Sequence, residues 1–171
     1  MTIKSKDLAI AGLLVAVGII LPIAFHSFGI GGQMFLPMHI PIIIGGFLLP
    51  WGYACIVGAV TPLLSFLFTS MPPYPTVFTM MAELITYAFF ISLLYRKFKY
   101  GIYQSLIPSM LIGRIVSIIS NWLIIGILIG KPFSLTKVLY TLFVVGLPGI
   151  AIQLVIIPIL VKFLFSRLIK E

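Results

Sequence analysis

The stretch LPMHIPIIIGGFLLPWGYACIVGAVTPLLSFLF, residues 36–68, decides how the chain is read. It carries no Asp, Glu, Lys or Arg, yet it is too long for one membrane crossing. A helix needs about 20 apolar residues to cover roughly 30 Å of hydrocarbon. Pro50-Trp51-Gly52 punctuates the stretch, and proline disfavours helix at the residue before it. It therefore divides into a short span over residues 38–49 and a longer one over residues 52–68.

Working outward, further apolar runs occupy residues 8–25, 77–95, 103–129 and 138–169, the last with Pro148 and Pro158 inside it. The expectation is an all-α integral membrane protein with six transmembrane helices, forming one domain over residues 1–171. Charge supports the count. Lys4 and Lys6 precede the first span, Arg96, Lys97 and Lys99 separate the fourth and fifth, and Lys162, Arg167 and Lys170 close the chain. With six spans all of these fall on one side, against only Lys131 and Lys137 on the other. The positive-inside bias then puts both termini in the cytoplasm. Without the division at Pro50 the count becomes odd and the basic clusters no longer agree.

Composition excludes most other classes. Of 171 residues, 61% are hydrophobic and 8% charged, with a mean hydropathy of +1.27. A soluble domain is nearer half apolar and a quarter charged, and disorder requires low hydrophobicity. The net charge of +8 is scattered through short gaps between apolar runs, which speaks for topology and against nucleic acid. The lone Cys55 lies in an apolar run, with no disulfide framework and no metal spacing. Residues 1–7 and the run after them superficially resemble a signal peptide, but that run is long enough to span.

Ionisable groups inside spans are expensive and mark functional hypotheses. Glu83 falls near the middle of the fourth span and Arg114 near the middle of the fifth, while His39 opens the second. Arg114, Ser117 and Asn121 are spaced three and four apart, so they share a helical face. Met80, Glu83 and Tyr87 do the same, and the last span adds Gln153. These residues could converge on a polar cavity that contacts a solute. Alternatively Glu83 and Arg114 simply neutralise each other, His39 caps its helix, and Asn121 and Gln153 tie helices together.

Two connections on the outer side, residues 24–37 with His26, three glycines and Gln33, and residues 69–76 with three prolines, carry no charge. Both could fold back as lids over a pocket, because irregular backbone at membrane depth must pack on protein or line a cavity. In the first span, Gly12 and Ala16 form a small-xxx-small pair that lets another helix approach closely, either within the chain or from a partner. Enzyme readings find little support. Three carboxylates, no His-Glu-x-x-His, no Walker-type glycine loop and no nucleophile–base spacing leave catalysis, metal and cofactor without candidates.

The chain resembles the substrate-binding S components of energy-coupling factor (ECF) vitamin transporters of bacteria, across essentially its whole length. The resemblance rests on LAIAGLLVA (residues 8–16), FLPMHIP (35–41), GFLLPWGY (46–53), TPLLS (61–65) and MPP (71–73), continued by the Glu83 segment and Gly113-Arg114. It implies a six-span subunit of the bacterial cell membrane without catalysis of its own. Such a subunit captures a small water-soluble vitamin under its outer loops and works with a transmembrane coupling subunit and two cytoplasmic ATPases. Its implied partner face is Gly12 and Ala16, where the family usually has two alanines. The candidate site residues are those read from the spans and the outer connection: His39, Glu83, Tyr87, Arg114, Asn121, Gln153 and Gln33. Arg114 would suit a carboxylate such as pantothenate; Glu83 with His39 and loop aromatics would suit a hydroxylated ring of the pyridoxine or hydroxymethylpyrimidine type. Two readings compete: a self-sufficient secondary transporter with Glu83 as proton carrier, and a structural membrane subunit that transports nothing.

Overall fold

The computed structural model describes residues 5–27 and 32–168, and among these it is helical with no strand. The elements in order are α1 (Ser5–Ser27), α2 (Gly32–Phe35), α3 (His39–Leu48), α4 (Trp51–Thr69), α5 (Thr76–Ser92), α6 (Ile102–Asn121), α7 (Leu135–Leu139) and α8 (Leu147–Leu168). Wider π-helical turns extend α5 over Leu93–Lys97, α6 over Trp122–Leu128 and α7 over Tyr140–Val145. Five helices are long and apolar enough to cross a membrane: Ser5–Ser27, Trp51–Thr69, Thr76–Lys97, Ile102–Leu128 and Leu147–Ser166. Large apolar side chains stand exposed along them, such as Leu13, Leu67, Phe68 and Leu128. A soluble protein rarely shows apolar surface on that scale, whereas a bilayer accepts it.

The long apolar stretch breaks at Pro50. Leu49 is extended, as a residue before proline tends to be, and α4 begins with Pro50 as its cap residue. At 1.5 Å per residue the ten-residue α3 is about 15 Å long, half the depth of a bilayer core. It lies at the centre of the bundle. It packs against α1, α4, α5 and α8, and Ile42, Ile43 and Phe47 have no exposed surface. A helix end buried in this way needs partners for its last carbonyls. Arg96 supplies one through Nη1 to the Leu48 carbonyl at 2.5 Å, and the Ser92 hydroxyl donates to the Leu49 carbonyl at 2.9 Å. Because His39 also meets Glu83, α3 and α5 run parallel, with polar contacts at both ends of α3.

Glycines set the closest helix approaches. A Cβ at Gly58 would lie 2.9 Å from the Leu84 carbonyl oxygen, so only glycine lets α4 and α5 meet at that depth. Gly113 of α6 likewise makes room for the Tyr87 ring, which occupies the space its Cβ would need.

The last apolar run differs from the single helix expected over residues 138–169. It is divided at Gly146 into Leu135–Val145 and Leu147–Leu168. Pro148 explains the division. It occupies the first turn of α8, where a missing N–H costs nothing, rather than a helix interior. Of the first irregular connection, residues 24–27 belong to α1 and 28–31 lie outside the described residues, while its described remainder packs back on the bundle. Segment α2 packs against α8 and the Tyr140–Val145 turn, and a Cβ at Gly149 would lie 2.8 Å from the Met34 carbonyl oxygen. The second connection does not pack in this way: Met71 and Tyr74 are largely exposed.

Candidate binding site

Three helices bring four side chains to one buried point. Glu83 lies in the interior of α5, Tyr87 one turn further along the same face, Arg114 in the interior of α6, and His39 at the first position of α3. Glu83 Oε1 accepts a hydrogen bond from the Tyr87 hydroxyl at 2.9 Å and pairs with Arg114 Nη1 at 3.0 Å. His39 Nε2 stands 3.6 Å from the same oxygen, and the His39 and Tyr87 rings meet edge to face with centroids 5.7 Å apart. None of the four is more than 4% exposed. A carboxylate at such depth is tolerable only when paired and hydrogen-bonded, and Glu83 is both.

The cluster is not saturated. Arg114 commits Nη1 to Glu83, while Nε and Nη2 find no hydrogen-bond partner among the described residues. Those two nitrogens form the side edge of the guanidinium, the fork that grips a carboxylate with two parallel hydrogen bonds. His39 Nδ1 is unpartnered too, as are both amide atoms of the fully buried Gln153. Buried polar atoms nearly always have partners, so each such group calls for an explanation.

The remaining expected residues behave differently. Asn121 is half-buried and donates to the Ser117 carbonyl of its own helix at 2.8 Å, a local bond rather than a contact with the cluster. Gln153 sits on α8, which packs against α3 and α6. The side chain of Gln33 lies outside the described residues. Ser117, expected on the Arg114 face, is buried. Ser65 and Ser105 were not singled out by the sequence, yet their hydroxyls are buried without partners. Small hydroxyls in apolar helices give almost no signal, because most bond to their own backbone, as Thr61 and Ser109 do here. Among the described residues no cluster of His, Cys, Asp or Glu could hold a metal ion.

On α1, Gly12 and Ala16 are exposed, and a Cβ at Gly12 would meet nothing within 4 Å. The small pair therefore faces outward. Internal close packing on α1 falls instead to Gly18, whose Cβ would collide with the Thr61 side chain.

A family model described as "ECF transporter, substrate-specific component" matches residues 6–161. No curated protein and no solved structure matches the chain.

Proposed function

Because the chain belongs to the substrate-specific components of ECF transporters, a family of binding and transport subunits rather than enzymes, we propose that it captures a small water-soluble vitamin or vitamin precursor bearing a carboxylate, of the pantothenate type. The single observation behind this choice is the free Nε–Nη2 edge of Arg114, buried beside a carboxylate that is already neutralised. A ligand carboxylate would complete that fork, and Gln153 and His39 offer further donors and acceptors for a polar backbone. A pyridoxine-type ring would use His39 and Tyr87 but would leave the guanidinium edge unsatisfied.

In this reading the chain crosses a bacterial cell membrane six times with both termini in the cytoplasm. The parallel run of α3 and α5 supports that topology. If α3 counts as a crossing, the intervening α4 returns the chain and α5 crosses in the same sense as α3. The basic clusters then share one side. The outward Gly12–Ala16 face would receive a transmembrane coupling subunit, with ATP hydrolysed by two cytoplasmic ATPases on other chains.

The test is a thermal-shift screen of the purified chain in detergent against B-vitamins and their precursors. A ligand that binds only the folded state raises stability by about 2.7 kcal/mol at a hundredfold excess over Kd. The expected result is a shift with a carboxylate-bearing vitamin that Arg114→Gln abolishes. A shift with an uncharged ring alone would sink the carboxylate assignment, and a flat panel on folded protein would sink vitamin capture.

A further inference from the structure

Away from the polar cluster, the end of the bundle that holds the α5–α6 turn carries a second concentration of chemistry. A cavity of about 570 Å³ is lined by Tyr95, Arg96, Lys99, Tyr100 and Phe165. A neighbouring one lies between Trp51, Phe89, Ser92, Arg96 and Lys97. Arg96 lines both, with its Nη1 donating to the Leu48 carbonyl. Lys97 and Lys99 are exposed. So is Lys162, three residues before Phe165 and hence on the same side of α8.

Among the described residues none of these cations makes an ion pair: both pairs are made by Glu83 in the bundle centre, and the remaining described carboxylate, Asp7, lies at the start of α1. The turn also holds the lysine in place. Lys99 adopts a left-handed backbone, φ +60°, unusual for a side chain of its size. The Phe98 and Tyr100 amides hydrogen-bond back to the Leu93 and Leu94 carbonyls. Aromatic rings surround the charges: Tyr95 against Phe165, Phe98 beside Tyr100, and Lys97 5.9 Å from the centre of the Phe98 ring. The segment joins two membrane-crossing helices that end at Lys97 and begin at Ile102, so it lies at headgroup level. Tyr and Trp favour that layer, and basic pockets between helices there suit anionic headgroups.

We propose that this cavity binds the phosphate headgroup of an anionic phospholipid, with Arg96 and Lys99 contacting the phosphate, Lys97 and Lys162 adding field, and Tyr95, Tyr100 and Phe165 bordering the glycerol and upper chains. Charge complementarity selects the occupant: Arg96 and Lys99 line an aromatic-walled opening at the membrane surface, and Lys97 and Lys162 stand on the flanking elements. None of the four has a carboxylate partner among the described residues.

The test uses the full chain in phosphatidylcholine vesicles containing a small fraction of spin-labelled phosphatidylglycerol or spin-labelled phosphatidylcholine. The wild type is expected to retain the anionic lipid selectively. Lys97→Gln with Lys99→Gln, both exposed positions, should reduce that selectivity by roughly fivefold per charge removed. Lys131→Gln with Lys137→Gln, an equal loss of charge at another turn, should leave it intact. Equal retention of the two lipids overturns the proposal, as does an equal effect of both double variants. Complete displacement by inorganic phosphate would make the cavity a soluble-anion site and overturn the lipid assignment. Selectivity untouched by the Lys97/Lys99 change, with loss of co-purifying coupling subunit, would make it a protein interface instead.

Discussion

Helices α1 and α3 are similarly apolar and very differently placed. Over twenty-three residues α1 buries only Ala11, Leu14, Gly18 and Pro22. Over ten residues α3 buries eight, from His39 to Phe47. In water such a contrast would be written in composition, because an exposed face must be polar. In a bilayer the outer face is as apolar as the inner one, and the difference shows in residue size and in where the few polar groups sit. The small residues of α1 are split between its faces: Gly18 turns inward against Thr61, whereas Gly12 and Ala16 turn outward into open space. The polar contacts of α3 are at its two ends, His39 at Glu83 and the last carbonyls at Ser92 and Arg96.

The sharpest way to break this contrast is to unbalance the centre. Arg114→Leu leaves the Glu83 carboxylate buried without its cation and should cost about 3–5 kcal/mol, read as a lowered unfolding midpoint in detergent. The double change Glu83→Gln with Arg114→Gln should cost less than the single one; a larger loss would mean that the pair does not hold the centre. Next, Gly113→Ala pushes a methyl group into the Tyr87 ring and should cost about 1–3 kcal/mol, with Gly113→Ala/Tyr87→Leu recovering part of it. A smaller loss, about 1 kcal/mol, is expected for Arg96→Gln, which removes the cation at the C-terminus of α3. The weakest effect on stability belongs to the outward face. Gly12→Leu with Ala16→Leu should change the midpoint by less than about 0.5 kcal/mol and leave ligand binding intact. It should nevertheless abolish ATP-driven uptake by the reconstituted complex. Lost binding in that variant would place α1's outward face at the ligand site.

The parts of the molecule legible in the sequence are those where membrane physics leaves few options. Glu83 and Arg114 stood out because charge inside an apolar run is rare, whereas their pairing was one of two readings the sequence left open, since a buried cation can meet either a carboxylate of the chain or one of a solute. Tyr87 followed from its spacing of four from Glu83. The break at Pro50 was readable because proline constrains the residue before it. Gly146 was not, since Pro148 reads equally well as a kink inside one helix or as the first turn of a new one. Asn121 shared a helical face with Arg114, but an amide can always bond its own backbone, and spacing alone does not say which bond it makes. Nothing in the sequence marks the depth of α3 either. Its burial depends on four neighbouring elements, α1, α4, α5 and α8, fitting around it, with Gly58 and Gly113 setting how closely α4, α5 and α6 come together.

The polar ties that join the two ends of α3 to α5, His39–Glu83 and Leu49–Ser92, have a mechanical consequence. Along α3 they are ten residues apart, His39 to Leu49; along α5 they are nine, Glu83 to Ser92. At 1.5 Å per residue these are nearly equal lengths of about 14 Å, so α3 and the second half of α5 act as the rails of a braced frame with a rung at each end of α3. Sliding one rail along the other strains both rungs at once. A push on the Arg96 end of the frame is therefore a push on His39.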